Sequence, residues 1–161
     1  RFVPGSRPFH ALWGWLHIDQ VHTVDELGPD ALPWARYHPH LHGEPDPGNT
    51  LYTSSLSFPL AGGAEVWSGS GVFPKLREDL VLTAPQSRLP TRWRLPAGFY
   101  PGDKRPPLSY HTRPDRWCLE PPWCYLSCAA RGQEFVLDFD AYPELTDWLT
   151  GLLRTGSPTE N

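Results

Sequence analysis

Proline and glycine occur throughout the chain, and they constrain its fold more than any other feature. The 161 residues include 20 prolines and 14 glycines. A proline inside a helix removes a backbone hydrogen bond and clashes with the preceding turn, so long uninterrupted helices are excluded. Aromatic residues still make up 13% of the chain, including 8 tryptophans, whereas disordered chains are poor in aromatics. The sequence therefore predicts a folded, turn-rich domain dominated by β-strands.

The length and the ends of the chain bear on its organisation. A chain of 161 residues is near the usual size of one domain. We predict a single domain over residues 1–153 and a flexible tail over 154–161. The chain begins at Arg1 and contains no methionine, which favours a domain truncated on its N-terminal side. No run of about 18 apolar residues occurs, so we predict no membrane span.

The cysteines and histidines form no strong metal-binding pattern. The cysteines are Cys118, Cys124 and Cys128. An odd number of cysteines without a secretory signal is typical of reduced thiols in a cytoplasmic protein, and they lack a C-x-x-C spacing. Three histidines would share one side of an extended segment, namely His38, His40 and His42. Pro39 interrupts that segment and no carboxylate lies at helical spacing. We therefore predict a cytoplasmic protein with no metal and no cofactor.

Charge is distributed unevenly along the chain, although the formal net charge is only −4. Residues 1–70 contain three arginines against seven acids, and residues 119–161 contain two arginines against seven acids. Between them, residues 88–117 contain seven basic residues against two acids, a net charge of +5. This basic segment indicates an anionic partner, while the overall acidity argues against a protein that coats duplex DNA.

The first predicted strand, Leu12–Val21, has two different faces because side chains alternate along a strand. One face is an ordinary core face of Leu12, Leu16 and Ile18. The other combines aromatic and polar side chains: Trp13, Trp15, His17 and Asp19. Two interpretations remain open for the second face. It either packs beneath a covering loop or forms one wall of a ligand pocket.

Aromatic residues alternate with the arginines of the basic segment. Its candidate binding residues are Arg92, Trp93, Arg94, Tyr110, His111 and Arg113. Arginines beside aromatic rings suit stacked contacts with bases and contacts with phosphates. Alternatively, the aromatic rings pack into the core and the arginine stems cover them.

The remaining secondary-structure elements are predicted from turn residues and hydrophobic periodicity. Strands are predicted at 49–58, 66–67 and 80–83, with a glycine-rich turn at 68–71. A hairpin is predicted from 125–130 and 134–138, because Gly132 can supply its turn. Leu145, Trp148, Leu149 and Leu152 follow i, i+3, i+4, i+7 spacing, which predicts an amphipathic helix from Pro143 to Leu153. The fold class predicted is α+β, mostly antiparallel β with a C-terminal helix.

An ordered set of short motifs resembles the C-terminal part of the nucleotide modification associated domain 3 family, over roughly residues 1–153. The motifs are Trp13-Gly-Trp-Leu-His-Ile-Asp-Gln-Val21, Ala31-Leu-Pro-Trp34, His38-Pro-His40, Asn49-Thr-Leu-Tyr52, Gly71-Val-Phe73, Leu82-Thr-Ala84, Arg92-Trp-Arg-Leu-Pro96, Leu108-Ser-Tyr-His111 and Arg131-Gly-Gln-Glu-Phe-Val-Leu-Asp138. The resemblance implies association with systems that make modified bases in DNA, and it assigns no catalytic residues. The strand that leads into Ile18-Asp-Gln-Val21 is also similar to the central strand of PUA-like domains of the EVE and YTH kind. That similarity implies a partial PUA-like barrel.

Three classes of function follow from these observations. The first is a nucleic-acid or nucleotide-binding module associated with base modification, with base-pocket candidates Trp13, Trp15, His17, Tyr110 and His111, and phosphate or stacking candidates Arg92, Trp93, Arg94 and Arg113. The second is an enzyme acting on a nucleotide, for which His111, His17, Asp19 and Glu134 are acid or base candidates. Arg131 and Gln133 are further polar candidates. The third is a structural or protein-interaction domain.

Overall fold

The computed structural model describes residues 7–28, 30–44, 46–59, 65–129 and 134–154. The chain divides into two compact units. The smaller unit is Gly14–Val72, and the larger unit combines the chain before Gly14 with the chain after Val72. Each unit is described separately below.

The smaller unit consists of short antiparallel strand pairs. Its strands are β1 (Gly14–Leu16), β2 (Ile18–Thr23), β3 (Thr50–Ser54), β4 (Ser57–Pro59), β5 (Val66–Ser68) and β6 (Ser70–Val72). Strand β1 pairs with β6, β2 with β3, and β4 with β5. An irregularity between Ile18 and Gln20 shifts the register of the β2–β3 pair. The predicted strand Leu12–Val21 is therefore two strands, β1 and β2, which pair with different partners.

Short 3-10 helices link these strand pairs. They are Val24–Glu26, Pro33–Ala35 and Pro39–His42. Proline lies at the start of the second and third helices, where its fixed φ suits a helical turn and its missing N–H costs no hydrogen bond. The predicted turn over 68–71 is wrong in part, because Ser70 and Gly71 belong to β6.

The larger unit is built on a three-stranded antiparallel sheet. Its strands are β7 (Arg92–Pro96), β8 (Trp117–Glu120) and β9 (Trp123–Ser127), in the order β7-β9-β8. The turn between β8 and β9 contains Pro121 and Pro122, joined by a cis peptide bond. Alternation along β7 buries Trp93 and Leu95 and leaves Arg92 and Arg94 on the other face. This sheet therefore has one apolar face and one polar, aromatic face.

The apolar face carries the core of the larger unit. Buried residues from the sheet and its connections form one cluster: Leu82, Trp93, Leu95, Phe99, Leu108, Trp117, Cys124, Leu126, Cys128, Tyr142 and Leu145. Short 3-10 helices lie in the segments that connect the strands and the helix of the larger unit: Glu78–Leu80, Ala97–Phe99, Pro114–Arg116, Phe139–Ala141 and Pro143–Leu145. These short helices agree with the proline content, because each is about one turn long and needs few backbone hydrogen bonds.

A helix closes the larger unit, as predicted. The 3-10 turn Pro143–Leu145 leads directly into α1 (Thr146–Arg154). Leu145 and Leu152 are buried, and Trp148 packs edge-on against Phe99 with ring centroids 4.9 Å apart. Leu149 is half-buried. The leucine and tryptophan stripe is therefore the packed face of α1.

Two predicted β segments are wrong. The segment 80–83 forms isolated bridges, Ala11 with Val81 and Thr83 with Trp93, rather than a strand. The segment 134–138 is not a strand. Val136 exchanges hydrogen bonds with Ser109, and Phe135 and Leu137 pack against the core cluster. Of the predicted hairpin, only residues 125–127 lie in a strand, as part of β9 (Trp123–Ser127), and its turn, 131–133, lies outside the described residues.

The predicted fold class is confirmed: most strands are antiparallel and one α-helix lies at the C-terminal end of the described chain. The described strands form four small sheets, and none of these sheets closes into a barrel. The similarity to PUA-like domains thus gains no support from these strands. No helix in the described ranges has the length and apolar character needed to cross a membrane.

Candidate nucleic-acid interface

The polar face of the three-stranded sheet gathers residues from all three strands. We call it the outer sheet face, and it comprises Arg92, Arg94, Cys118, Glu120, Trp123, Tyr125 and Ser127. Strand alternation explains this set, because these residues alternate along their strands with residues of the apolar face. In the register of the sheet, Arg92 lies opposite Ser127 and Arg94 opposite Tyr125. The outer sheet face is therefore a fixed two-dimensional array of side chains.

Each arginine of β7 stacks on an aromatic ring of β9. The guanidinium of Arg92 lies 5.0 Å from the centroid of the Tyr125 ring. The guanidinium of Arg94 lies 4.5 Å from the centroid of the Trp123 ring. Arg92 also donates a hydrogen bond to Ser127 Oγ at 3.2 Å. These contacts hold two guanidinium groups close to the sheet surface, where each can still donate to an anion.

These two arginines differ from Arg77 and Arg105 of the larger unit in their electrostatic partners. Arg77 pairs with Asp79, and Arg105 pairs with Glu144. Among the described residues, neither Arg92 nor Arg94 forms an ion pair with a carboxylate. Their positive charge is therefore not neutralised by a contacting acid, and it remains available to an external anion.

Arg113, a further predicted phosphate contact, lies in a different environment. Its guanidinium donates to both carboxylate oxygens of Asp115, at 3.1 and 2.7 Å. This hydrogen bonding lowers the pKa of the Asp115 carboxyl. The pair is exposed, with 66% and 62% of the two side chains accessible. A phosphate would have to compete with Asp115 for this arginine.

Trp93 lies on the opposite side of the sheet from its two arginine neighbours. Its side chain has 0% of its surface exposed, and its indole N–H donates to His10 Nδ1 at 2.9 Å. An indole in this position has no free ring face for a base. The structure therefore corrects the predicted stacking role of Trp93, because strand alternation turns it into the core.

Tyr110 and His111 are adjacent in the chain but point in opposite directions. Tyr110 adopts a left-handed backbone conformation with φ of 63°, and 63% of its surface is exposed. His111 is fully buried and lies edge-on to Trp93, with ring centroids 5.4 Å apart. Neither ring nitrogen of His111 has a hydrogen-bond partner among the described residues. Desolvation, aided by the charge of Arg116, lowers the pKa of His111.

The aromatic residues of the first predicted strand fall in both units. Trp13, in the larger unit, is 78% exposed. Trp15, in the smaller unit, donates its indole N–H to the Ser68 carbonyl at 3.1 Å. Its ring lies against Gly71, where an added Cβ would overlap the ring. His17, also in the smaller unit, stacks on Phe58 with ring centroids 4.7 Å apart.

The acid and base candidates are dispersed. Asp19 is exposed on β2 of the smaller unit, and Glu134 is exposed in the larger unit. No described hydrogen bond joins Glu134 to a histidine. Arg131 and Gln133 lie outside the described residues. Burial raises the pKa of the Cys128 thiol to about 11, which disfavours a nucleophilic thiolate although His10 Nδ1 lies 3.7 Å from its sulfur.

The smaller unit also contains an open cavity of about 370 Å³. Its lining is mainly apolar, with two polar side chains: Val24, Leu27, Gly28, Leu32, Arg36, Leu41 and His42. The predicted site residues do not line this cavity. Among the described residues, no three histidine, cysteine or acidic side chains form a cluster that could hold a metal ion.

Sequence reasoning identified Arg92 and Arg94 but missed their aromatic partners. Trp123 and Tyr125 stand two residues apart on β9, as Arg92 and Arg94 do on β7. The signal was this shared two-residue spacing, of arginines in one segment and of aromatic residues in the other. The pairing of these strands was not evident from the sequence.

Comparisons with known proteins gave one finding. No curated protein and no solved structure matched the chain. The family model described as nucleotide modification associated domain 3 matches residues 1–138, which include the complete outer sheet face. This match spans most of the chain and confirms the resemblance seen in the ordered motifs. The chain thus belongs to the nucleotide modification associated domain 3 family.

Proposed function

We propose that this protein is a nucleic-acid-binding module that acts in the modification of DNA bases, and that it binds single-stranded or flipped-out nucleotides on the outer sheet face. The observation that carries the proposal is the pair of arginines stacked on Tyr125 and Trp123 without a contacting carboxylate. An exposed sheet that presents aromatic rings and arginines is a common platform for unpaired bases. Membership of the family supports the link to nucleotide modification.

The physical balance of such a surface favours contacts with both phosphates and bases. Stacking of one base contributes about 1–3 kcal/mol, which alone gives weak binding. Phosphate contacts by Arg92 and Arg94 add an electrostatic contribution that decreases as salt concentration rises. The excess positive charge of residues 88–117 favours the approach of an anionic strand to this part of the chain.

Further aromatic residues are candidates for contacts with a base. In the larger unit these are Trp13 and Tyr110, whose side chains are both largely exposed. The left-handed backbone of Tyr110 costs about 1–3 kcal/mol for a residue other than glycine, and such strain is frequent at binding sites. Trp15 and His17 remain candidates within the smaller unit. In this proposal the buried His111 packs in the core and does not contact the base.

A titration with single-stranded oligonucleotides at two salt concentrations tests the role of the arginines. The double variant Arg92→Gln/Arg94→Gln should bind at least about tenfold more weakly, because two phosphate contacts are lost. In a plot of log affinity against log salt concentration, the slope for this variant should be smaller in magnitude by roughly 1.4. This corresponds to about 0.7 for each lost phosphate contact with a single strand. Unchanged affinity in this variant would contradict the proposal.

Arg36→Gln is a matched control for charge. The guanidinium of Arg36 lies 4.7 Å from the Tyr37 ring centroid in the smaller unit, so this variant removes the same charge and the same type of contact from another surface. It should retain wild-type affinity. The matched comparison is with the single variants Arg92→Gln and Arg94→Gln, each of which also removes one charge. An equal loss of affinity in Arg36→Gln and in these single variants would indicate a general charge effect rather than a site.

Trp123→Ala tests the stacking contribution separately. This variant should weaken binding by about 1–3 kcal/mol while the salt dependence is retained, because both arginines remain. Trp34→Ala is its control, since Trp34 is an exposed tryptophan of the smaller unit. Equal affinities of the two variants would argue against stacking on Trp123.

A further inference from the structure

One acidic residue stands on the outer sheet face, and it stands directly beside the exposed tryptophan. Glu120 ends β8, Trp123 begins β9, and the two residues are paired across the strands. Side chains opposite each other in an antiparallel pair have Cβ atoms about 4.5–5.5 Å apart. A base stacked at Trp123 would therefore have one edge within reach of the Glu120 carboxylate.

The carboxylate of Glu120 is oriented by a neighbour rather than neutralised by a cation. Cys118, two residues earlier on the same face, donates its thiol hydrogen to Glu120 Oε1 at 3.4 Å. This hydrogen bond raises the pKa of the Cys118 thiol, so the sulfur retains its hydrogen as a donor. No salt bridge joins Glu120 to a basic side chain among the described residues. The second carboxylate oxygen remains open to a ligand.

A carboxylate at this position discriminates between groups on a nucleotide. It accepts hydrogen bonds and donates none, so it repels phosphate and attracts N–H donors. Guanine presents two adjacent donors, N1–H and the N2 amine, which match the two oxygens of a carboxylate. Cytosine offers one amine beside an acceptor, and glutamate contacts to that amine are a known form of base recognition. Thymine offers a single N–H between two carbonyl oxygens, which a carboxylate repels.

We infer that Glu120 gives the outer sheet face a preference for bases whose Watson–Crick edge carries N–H donors, with guanine first, cytosine second and thymine last. This inference rests on the proposed function, since it requires a base at Trp123. In this arrangement the arginines contact the phosphates and the base stacks on Trp123. Glu120 accepts hydrogen bonds from the Watson–Crick edge of that base. Recognition of a Watson–Crick edge requires an unpaired base, in agreement with a single-stranded or flipped-out ligand.

The test uses labelled oligo-dT of about ten nucleotides, a length within the range of single-strand binding sites. One central thymine is replaced by guanine, cytosine or inosine, and each oligonucleotide is titrated against the protein. Guanine should bind about tenfold more tightly than thymine. Inosine lacks the N2 amine and should lose most of that gain, while cytosine should fall between guanine and thymine.

Glu120→Gln separates edge recognition from simple charge repulsion. The amide both donates and accepts, so this variant should bind oligo-dT more tightly and the guanine strand more weakly. The ratio of the affinity for the guanine strand to the affinity for oligo-dT should then fall to about one. If only repulsion acts, affinity for both strands should rise by the same factor, and the inference is then wrong. Glu78→Gln, which alters an exposed glutamate of the same unit, should leave the ratio unchanged.

The outcomes also separate the inference from the proposed function. A wild-type protein that binds these strands through Arg92 and Arg94, with equal affinity for guanine and thymine, would overturn the role of Glu120 alone. A wild-type protein that binds none of the strands would overturn both. Trp123→Ala should abolish the guanine preference together with the stacking contribution, whereas a preference that survives in this variant would place the base elsewhere.

Discussion

The indole N–H of Trp93 donates to Nδ1 of His10 at 2.9 Å, and this hydrogen bond ties strand β7 to the chain before the smaller unit. The backbone N–H of His10 in turn donates to Thr83 Oγ1 at 2.8 Å. Strand β7 carries core residues, including Trp93, on one side and the arginines of the outer sheet face on the other. Substitutions at neighbouring positions of β7 should have different consequences.

Trp93→Phe should reduce stability and leave binding intact. Phenylalanine keeps most of the buried ring but loses the hydrogen bond to the half-buried His10, which costs about 1 kcal/mol. Denaturant unfolding measures the loss, and oligonucleotide titration of the same variant measures affinity. Trp93→Ala should cost about 3–5 kcal/mol because it also leaves a cavity. If Trp93→Phe is as stable as wild type but binds oligonucleotides more weakly, Trp93 contributes to base stacking after all.

Trp148→Ala should destabilise the larger unit through the packing of α1. The ring is half-buried and packs edge-on against Phe99 at 4.9 Å. Because part of the ring is already in water, the expected cost is about 2–3 kcal/mol, below that of a fully buried tryptophan. Urea unfolding measures the difference from wild type.

Trp34→Ala is the control for this comparison. Trp34 is 71% exposed, so its removal should change the free energy of unfolding by less than about 0.5 kcal/mol. Equal losses of stability in Trp34→Ala and in the α1 variant would show that the helix does not pack as described.

Stability should fall as the pH is lowered below the ordinary range of histidine, because His111 is buried without a hydrogen-bond partner among the described residues. Desolvation lowers the pKa of His111 in the folded protein from 6.5. Below pH 6.5 the unfolded chain therefore binds more protons than the folded protein, and the free energy of unfolding falls until the pH reaches the lowered pKa. Above this window both states are neutral and His111 contributes no slope.

The variant His111→Leu tests this pH dependence. Leucine cannot be protonated, so the fall in stability between neutral and acidic pH should be smaller than in wild type. The loss should not vanish, because desolvation also lowers the pKa of His10. Urea unfolding at a series of pH values measures the slope. An identical slope in wild type and variant would mean that His111 is hydrated or paired in solution.

The amino-acid sequence by itself determined the local features of this protein. Prolines limited the helices to short turns, since each removes a backbone donor and restricts the preceding residue. The i, i+3, i+4 spacing of Leu145, Trp148 and Leu149 located α1, because that spacing places side chains on one helical face. The ordered motifs revealed the family.

Only the tertiary structure decided which side chains share a surface. Alternation in β7 showed that Trp93 lies opposite Arg92 and Arg94, but the sequence could not say which side faces the core. That choice depends on the burial of a large apolar ring against residues distant in sequence, such as Phe135, whose ring centroid lies 5.9 Å from that of Trp93. The pairing of β7 with β9 then brought Trp123 to the arginine side, and the pairing of β9 with β8 brought Glu120 there. Such pairings are non-local, and their stability comes from packing and hydrogen bonds that local propensity does not encode.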